Sequence, residues 1–291
     1  MDTFLQQVVL GLSIASVIAL IAIGITLIFG LTGIVNFAQG EMLMIGGYAV
    51  WALIVEIGLG AGFGWYFLGL MLAIAVVGLL GLGLERGLFR FTLEEPINGF
   101  IVSIGLIFIL QHVVAGIWNA DAVDIPRPLN VVWDVGDVRV LATRVFVIGT
   151  TLALFGATFY GIQRTRWGRA LRAIATDRDT ASLMGIPVRR YVMGIFIVGS
   201  AIAGLGGALL ISFFPVSPFV GANFVIKGFA VAIIGGLGNV TGAVLAALFL
   251  GLLEAMSQGY FAPAWTNAYA FGLMILILLV RPQGLLRGSA A

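Results

Sequence analysis

The sequence contains no cysteine, and among its 291 residues there is one histidine, His112, and one lysine, Lys227. The absence of cysteine excludes disulfide bonds and thiolate metal sites, and a lone histidine excludes a multi-histidine metal site. Charged residues make up only 10% of the chain, whereas hydrophobic residues make up 61%. This balance is typical of a polytopic membrane protein rather than of a soluble one.

Glycine, by contrast, is abundant. The 41 glycines are about twice the usual share of roughly 7%. Small residues let helix backbones approach one another closely in lipid, so this composition predicts a tightly packed helix bundle. The net charge is only +2, and the basic residues cluster in one loop, which indicates membrane orientation rather than nucleic-acid binding.

Long apolar runs predict eight full membrane spans. They are Phe4 to Gly30, Met42 to Ile57, Trp65 to Leu84, Ile97 to Trp118, Val145 to Gln163, Tyr191 to Phe214, Val240 to Ser257 and Trp265 to Val280. A further apolar stretch, 223–238, is shorter than the roughly 20 residues of a regular span, so we expect a short broken or re-entrant crossing segment. The predicted fold is therefore all-α: a polytopic membrane helix bundle that forms a single transmembrane domain over residues 1–291.

Charge distribution predicts the orientation of this bundle. The loop 164–190 holds seven of the fifteen basic residues, and such loops normally stay in the cytoplasm. The tail with Arg281 and Arg287 should also lie inside, which requires the stretch 223–238 to cross. The polar excursion 119–144 and the N-terminus are then predicted outside. Two short β-prone pieces within this excursion predict a small hairpin.

The basic loop has an internal pattern that orientation alone does not require. Its apolar residues recur at helical spacing: Trp167, Ala170, Leu171 and Ile174. Asp177 can cap a second, short helix from Asp179 to Met184, with Gly185 as the residue after its end and Pro187 as the stop. We interpret the loop as a docking element for a cytoplasmic partner. The alternative is a solvated loop that only sets orientation.

Several polar residues interrupt the apolar stretches, and a charge at the centre of a membrane helix costs about 2.5–3.5 kcal/mol. They are Asn36, Gln39, Glu41, Asn223, Lys227 and Glu254. Interfacial solvation could explain Asn36, Gln39 and Glu41, and Lys227 could snorkel to the outer surface. Glu254 is expected to be an interfacial residue. His112 is expected to be a buried, hydrogen-bonded packing residue.

The functional interpretation is that broken segments line a water-filled path. We expect 31–41 and 223–238 to approach each other near the bundle axis. Candidate residues of this path are Asn36, Phe37, Gln39, Met44, Asn223 and Lys227. Asn36 and Gln39 would hydrogen-bond the charged end of a substrate, and Phe37 and Met44 would form an apolar wall.

The sequence gives no positive support for an enzyme. There is no G-x-x-x-x-G-K-[ST] motif, since the only lysine, Lys227, is followed by Gly228. No serine, histidine and aspartate pattern with a catalytic arrangement is present, and no pair of carboxylates has catalytic spacing. We therefore expect neither catalytic residues nor a metal site.

Three stretches carry a resemblance to a known family: GLTGIVNFAQGEMLMIGGY at 30–48, GRALRAIATDRDTASLMGIPV at 168–188, and KGFAVAIIGGLGNVTGAVLAALFLGLLEA at 227–255. Together they resemble the permease subunits of ATP-binding-cassette (ABC) importers for branched-chain amino acids. The resemblance implies a multi-pass protein of a bacterial-type inner membrane. The implied partners are a second, homologous permease, two cytoplasmic ATPase subunits that use the ATP, and a periplasmic substrate-binding protein. No cofactor would be bound by this chain itself.

The resemblance also assigns the loop 164–190 as the ATPase-coupling loop, with Ala175, Asp177, Asp179 and Gly185 in the coupling region. The same family includes importers of urea and short amides, so those substrates remain open. An ion-coupled secondary transporter with Glu41, Lys227 and Glu254 as charge carriers is an alternative from another class. A structural membrane scaffold is a third possibility, but it leaves the broken segments unexplained.

Overall fold

The structure is a computed structural model that describes residues 2–60, 62–126, 128–129, 131–135, 138–260 and 265–280. In these ranges the helices are α1 (Asp2–Thr32), α2 (Gln39–Trp51), α3 (Phe63–Gly87), α4 (Pro96–Trp118), α5 (Ala142–Arg164), α6 (Arg166–Thr176), α7 (Arg178–Leu183), α8 (Val188–Leu210), α9 (Val220–Gly235), α10 (Val240–Tyr260) and α11 (Thr266–Val280). Strands β1 (Val132–Val135) and β2 (Val138–Leu141) pair antiparallel. They form the predicted hairpin. The tail that carries Arg281 and Arg287 lies outside the described residues.

Six of the described helices are long and apolar enough to cross a membrane: α1, α3, α4, α5, α8 and α10. The predicted multi-pass helical fold is therefore confirmed, but the count of eight full spans is not. Helix α2 has 13 residues, which rise only roughly 20 Å. A π-helical turn, Ala52–Glu56, extends α2 before Gly58 and Gly60, both with positive φ, end the segment. Helix α11 has 15 residues.

The short stretch predicted at 223–238 is mostly one regular helix, α9, of 16 residues. The segment is short, as predicted, but its helix is continuous up to Gly235 rather than broken. A break lies at its C-terminal end, where Gly236 and Gly238 both adopt positive φ and separate α9 from α10. Glycine reaches this region without the steric strain that a Cβ would bring.

Helix α1 lies at the centre of the bundle and contacts α5, α6, α8, α9 and α10. Its residues from Val17 to Ile23 are almost completely buried. Glycines make the packing close, as the composition predicted. A Cβ on Gly251 of α10 would lie 2.6 Å from the backbone of Ala15, and a Cβ on Gly207 of α8 would overlap the carbonyl oxygen of Leu43.

The bundle has two distinct ends, and α5 connects them over roughly 35 Å. At the hairpin end, Val123 and Val216 exchange two backbone hydrogen bonds of 2.8 and 2.9 Å. At the opposite, arginine end, α6 and α7 lie near the C-terminal end of α1. The excursion 119–144 and the basic loop 164–190 are thus at opposite ends of the bundle.

Candidate functional site

Helices α6 and α7 form a unit whose ends are defined by local hydrogen bonds. The Thr165 hydroxyl accepts a hydrogen bond from the Gly168 N–H at 3.1 Å and caps α6. The Asp177 carboxylate accepts from the N–H groups of Asp179 and Thr180, both at 3.0 Å, and caps α7. This confirms the predicted second helix, which begins at Arg178 and ends at Leu183.

The C-terminal end of α7 is a Schellman motif. Gly185 adopts φ +82°, its N–H donates to the Ser182 carbonyl at 3.0 Å, and the Ile186 N–H donates to the Ala181 carbonyl at 3.1 Å. These are the two hydrogen bonds that close a helix when the residue after it is left-handed. The glycine predicted after the helix therefore has the conformation that its position requires.

The α6–α7 unit has one buried side and one exposed side. Leu171 and Ile174 of α6 and Ala181 of α7 are buried against the bundle. At the tip of α7, the side chains of Leu183 and Met184 are 88% and 79% exposed. The predicted coupling residues are also exposed: Ala175, Asp177, Asp179 and Gly185. Two large apolar side chains held in water on a capped helix are typical of a surface that a partner covers.

Arg178 links α7 to the membrane bundle. Its guanidinium donates hydrogen bonds to the Leu31 carbonyl at 3.0 Å and to the Leu93 carbonyl at 3.3 Å. Leu31 belongs to the last turn of α1, where carbonyl groups lack partners within the helix. The sequence indicated Arg178 only as one of several positive charges. A pairing across 147 positions leaves no signal in the local pattern.

The hydrogen bonds of the α7 cap also affect the ionisation of Asp177. Hydrogen bonds from the Thr180 hydroxyl, the Thr180 N–H and the Asp179 N–H hold the pKa of this carboxyl below its ordinary value. All three stabilise the ionised carboxylate. The cap is therefore charged at neutral pH, at the positive end of the short helix.

The segment between α1 and α2 is held by side-chain hydrogen bonds and meets α9. The Asn36 carboxamide oxygen accepts from the Ala38 N–H at 3.1 Å, and the Phe37 N–H donates to the Ser103 hydroxyl at 3.1 Å. The Phe37 ring stacks on Phe229 of α9, with centroids 4.6 Å apart. The two segments expected to approach each other, 31–41 and 223–238, are therefore in contact.

Most candidate path residues of the first segment are packed inside the chain. Asn36, Gln39 and Met44 are all buried. The Gln39 carboxamide donates to the Gly199 carbonyl at 2.6 Å. Glu41, also fully buried, accepts a hydrogen bond of 2.9 Å from the Gln111 carboxamide. Glu41 is thus enclosed by protein rather than solvated at an interface.

The remaining candidates, Asn223 and Lys227, line a cavity of about 370 Å³ at the hairpin end. The Lys227 ammonium group lies 2.8 Å from the Glu254 carboxylate, and their side chains are 18% and 2% exposed. Lys227 therefore forms an ion pair instead of snorkelling, and the expectation that Glu254 is interfacial is wrong. This space is the ion-pair cavity.

His112 also differs from its prediction. Its side chain is exposed on the surface of α4, and Nδ1 lies 2.8 Å from the Phe108 carbonyl oxygen of the preceding turn. The predicted hydrogen bond is confirmed, but the predicted burial is wrong. Among the described residues, no group of three or more histidine, aspartate or glutamate side chains could hold a metal ion.

Comparisons with known proteins cover almost the whole chain. The family model described as "Branched-chain amino acid transport system / permease component" matches residues 7–278. The high-affinity branched-chain amino acid transport system permease protein LivH of Escherichia coli K12 is 35% identical, over 97% of this chain and 95% of the relative.

Two further relatives extend the comparison. The corresponding permease protein BraD of Pseudomonas aeruginosa is 34% identical, over 97% of this chain and 95% of its own length. A probable LivH of Methanocaldococcus jannaschii is 28% identical, over 93% and 89%. No solved structure matches the chain. The chain belongs to the family of branched-chain amino acid transport system permease components.

Proposed function

We propose that this chain is the membrane-spanning permease subunit of an ABC importer that moves branched-chain amino acids into the cell. The observation that carries this proposal is the α6–α7 unit. It presents Leu183 and Met184 to a partner on one side, and it is hydrogen-bonded through Arg178 to the end of the central helix on the other. A surface of this kind can transmit a partner's movement into the bundle.

The partners follow from this role. Two ATPase subunits on the cytoplasmic side would hydrolyse ATP, and one of them would cover α7. A second, homologous permease would complete the membrane unit, and a periplasmic binding protein would deliver substrate at the hairpin end. This arrangement has the N-terminus outside and the basic loop inside, in agreement with the tendency of arginine-rich loops to remain in the cytoplasm.

The substrate route would follow the contact between α2 and α9. A Cβ on Gly221 would lie 2.6 Å from the Gly40 carbonyl oxygen, so the two helices approach backbone to backbone. Asn223 and Lys227 face the cavity side of α9. The buried Asn36, Gln39 and Met44, with the half-buried Phe37, would support this wall from behind. Movement of α7 would reach it through Leu31 and the segment that follows α1.

Reconstitution tests the proposal. The chain, its partner permease, the ATPase subunits and the binding protein would be placed in proteoliposomes, and uptake of leucine, isoleucine and valine measured. Uptake should require ATP and the binding protein, and excess urea or acetamide should not reduce it. Uptake driven by an ion gradient without ATP would instead favour the secondary transporter.

A variant of Gly185 tests whether uptake depends on α7. Gly185→Trp should leave the bundle folded and inserted, because a Cβ at this position meets no atom within 4 Å. Transport should nevertheless fail, and ATP hydrolysis should no longer respond to the loaded binding protein. Gly156→Trp, at a position on α5 that is equally open, is the matched control. Normal stimulated hydrolysis in Gly185→Trp would contradict the assignment of α7.

Orientation can be tested directly because the chain has no cysteine. Ala120→Cys, in the loop after α4, should react with an impermeant thiol reagent added outside intact cells. Gln163→Cys, at an exposed position near the end of α5, should react only after the membrane is opened. The reverse pattern would invert the proposed topology.

A further inference from the structure

We propose that the Lys227–Glu254 ion pair is a binding site for a zwitterion. In this proposal the pair opens, the α-carboxylate of an amino acid binds Lys227, and its α-ammonium group binds Glu254. The apolar side chain of the amino acid lies against the aromatic wall of the same cavity. The inference rests on the proposed transport function and names the chemical class of ligand that the chain itself recognises.

The ion-pair cavity has the size and lining of a small-molecule site. Its volume of about 370 Å³ is at the small end of the range of roughly 300–1,000 Å³ that ligand sites occupy. It is lined by side chains from α1, α5, α8, α9 and α10. Its polar residues are Arg144, Asn223, Lys227, Glu254 and Gln258, and aromatic residues include Phe213, Phe214 and Phe224.

Both charges of the pair can be reached from the cavity because both side chains line it. Glu254 is otherwise enclosed, with 2% of its side chain exposed, whereas Lys227 retains 18%. The Lys227 ammonium group also lies 6.0 Å from the centroid of the Phe224 ring. An aromatic face at this distance attracts a cation. Lys227 therefore has a favourable contact beside the pair when Glu254 releases it.

The charges of Lys227 and Glu254 determine which class of ligand can replace their ion pair. Removing one partner from a buried ion pair leaves an uncompensated charge, which is strongly unfavourable. A zwitterion supplies one opposite charge to each partner, so both Lys227 and Glu254 stay paired after the exchange. A simple anion would leave Glu254 unpaired, and a simple cation would leave Lys227 unpaired. A neutral ligand such as urea or a sugar would leave both without an opposite charge.

The apolar part of the cavity restricts the class of ligand further. Leu10 and Ile14 of α1, together with Phe213 and Phe214 after α8, form an aliphatic and aromatic wall beside the charged groups. Such a surface favours an apolar side chain through burial of its area. The ligand class is thus an α-amino acid with an apolar side chain, and the charged groups orient its polar end.

Protection of a single cysteine tests this site in the assembled complex. Asn223 has an exposed side chain on the cavity wall, so Asn223→Cys should react with a maleimide. Leucine should slow this reaction several-fold. Leucinamide, which lacks the carboxylate, 4-methylpentanoate, which lacks the ammonium group, and urea should not. Ala120→Cys, outside the cavity, should be labelled at the same rate with every ligand.

A charge-free pair then separates ligand binding from a purely structural ion pair. The double variant Lys227→Met with Glu254→Gln keeps side-chain size and removes both charges together, so no lone buried charge remains. In this background the complex should assemble, but leucine should no longer protect Asn223→Cys. Gln258→Cys, another exposed cavity residue, is a second reporter that should behave in the same way.

Three results would overturn the inference: equal protection by leucine in the charge-free background, equal protection by 4-methylpentanoate in the wild-type pair, or no labelling of either reporter. Failure of the proposed transport function has a different signature. In that case the wild-type complex would show no ATP-dependent amino-acid uptake, whatever the labelling pattern. Uptake at normal rates in the charge-free variant would be a fourth result that overturns the zwitterion site, and it would leave the proposed transport function intact.

Discussion

Replacing Gly185 with alanine should weaken docking of the ATPase subunits without unfolding the bundle. Gly185 has φ +82°, and an added Cβ meets no atom within 4 Å. The substitution therefore causes no collision, and its whole effect is backbone strain. A residue with a Cβ in the left-handed region costs roughly 1–2 kcal/mol. This strain acts on the two hydrogen bonds that end α7 at Ser182 and Ala181.

The expected loss of affinity follows from the fraction of molecules in which α7 has its native C-terminal end. A penalty of one or two kcal/mol is a factor of about 5–30 in an equilibrium. If only the natively ended α7 binds, the apparent Kd for the ATPase subunits rises by up to the same factor. Gly185→Asn is the matched control, since asparagine visits this region more readily than other residues with a side chain. Its Kd should stay close to that of the wild type.

The assay is titration of purified ATPase subunits onto the membrane complex in nanodiscs, with binding read by light scattering or fluorescence. The expected order of affinity is glycine, then asparagine, then alanine. Alanine equal to glycine would mean that the left-handed end of α7 is not needed for docking. Asparagine and alanine equally weak would mean that the partner rejects any side chain at this position, and the strain argument would be wrong.

The remaining predictions concern packing, coupling and pH. Gly207→Ala should lower the melting temperature of the complex, because the new Cβ overlaps the Leu43 carbonyl oxygen and overpacking costs about 1–3 kcal/mol; Gly156→Ala, in open space, should not lower it. Arg178→Met should reduce the uptake per ATP hydrolysed more than it reduces docking affinity, whereas Arg178→Lys should restore part of the uptake per ATP. An equal loss of uptake per ATP and of docking affinity would contradict a linking role of Arg178. Because the pKa of Asp177 is lowered, its cap is present above the ordinary pKa and is lost only as pH falls through the lowered value, so docking should not change between about pH 5 and 8. A loss of docking in this pH range that disappears in Asp177→Asn would contradict this prediction.

Local features of the chain could be predicted because they depend on residues a few positions apart. Asp177, Gly185 and their spacing specified both ends of α7, since a cap bonds to N–H groups two or three residues away. Apolar runs indicated the membrane helices. The hairpin followed from two short β-prone pieces. In each case the interaction joins residues within one short segment of the sequence.

The lengths of the helices were predicted less well than their type. The stretch 223–238 was recognised as short, but Met42–Ile57 was counted as a full span. The points where the two helices end were not predicted. Glycines with positive φ, such as Gly58 and Gly236, make those ends. A chain with 41 glycines does not reveal which of them leave helical conformation, because most lie inside helices, many of them at close contacts. Backbone conformation at a glycine is decided by what surrounds it.

The sequence by itself determined that this protein is a membrane helix bundle with a capped, arginine-rich unit at one end. Only the tertiary structure decided that Lys227 pairs with Glu254, that Arg178 holds the end of α1, and that His112 is on the surface. The reason is that helices apolar on every side carry no periodic signal for which face turns inward. Their rotation, and hence the partner of each isolated polar group, is set by how neighbouring helices fit together.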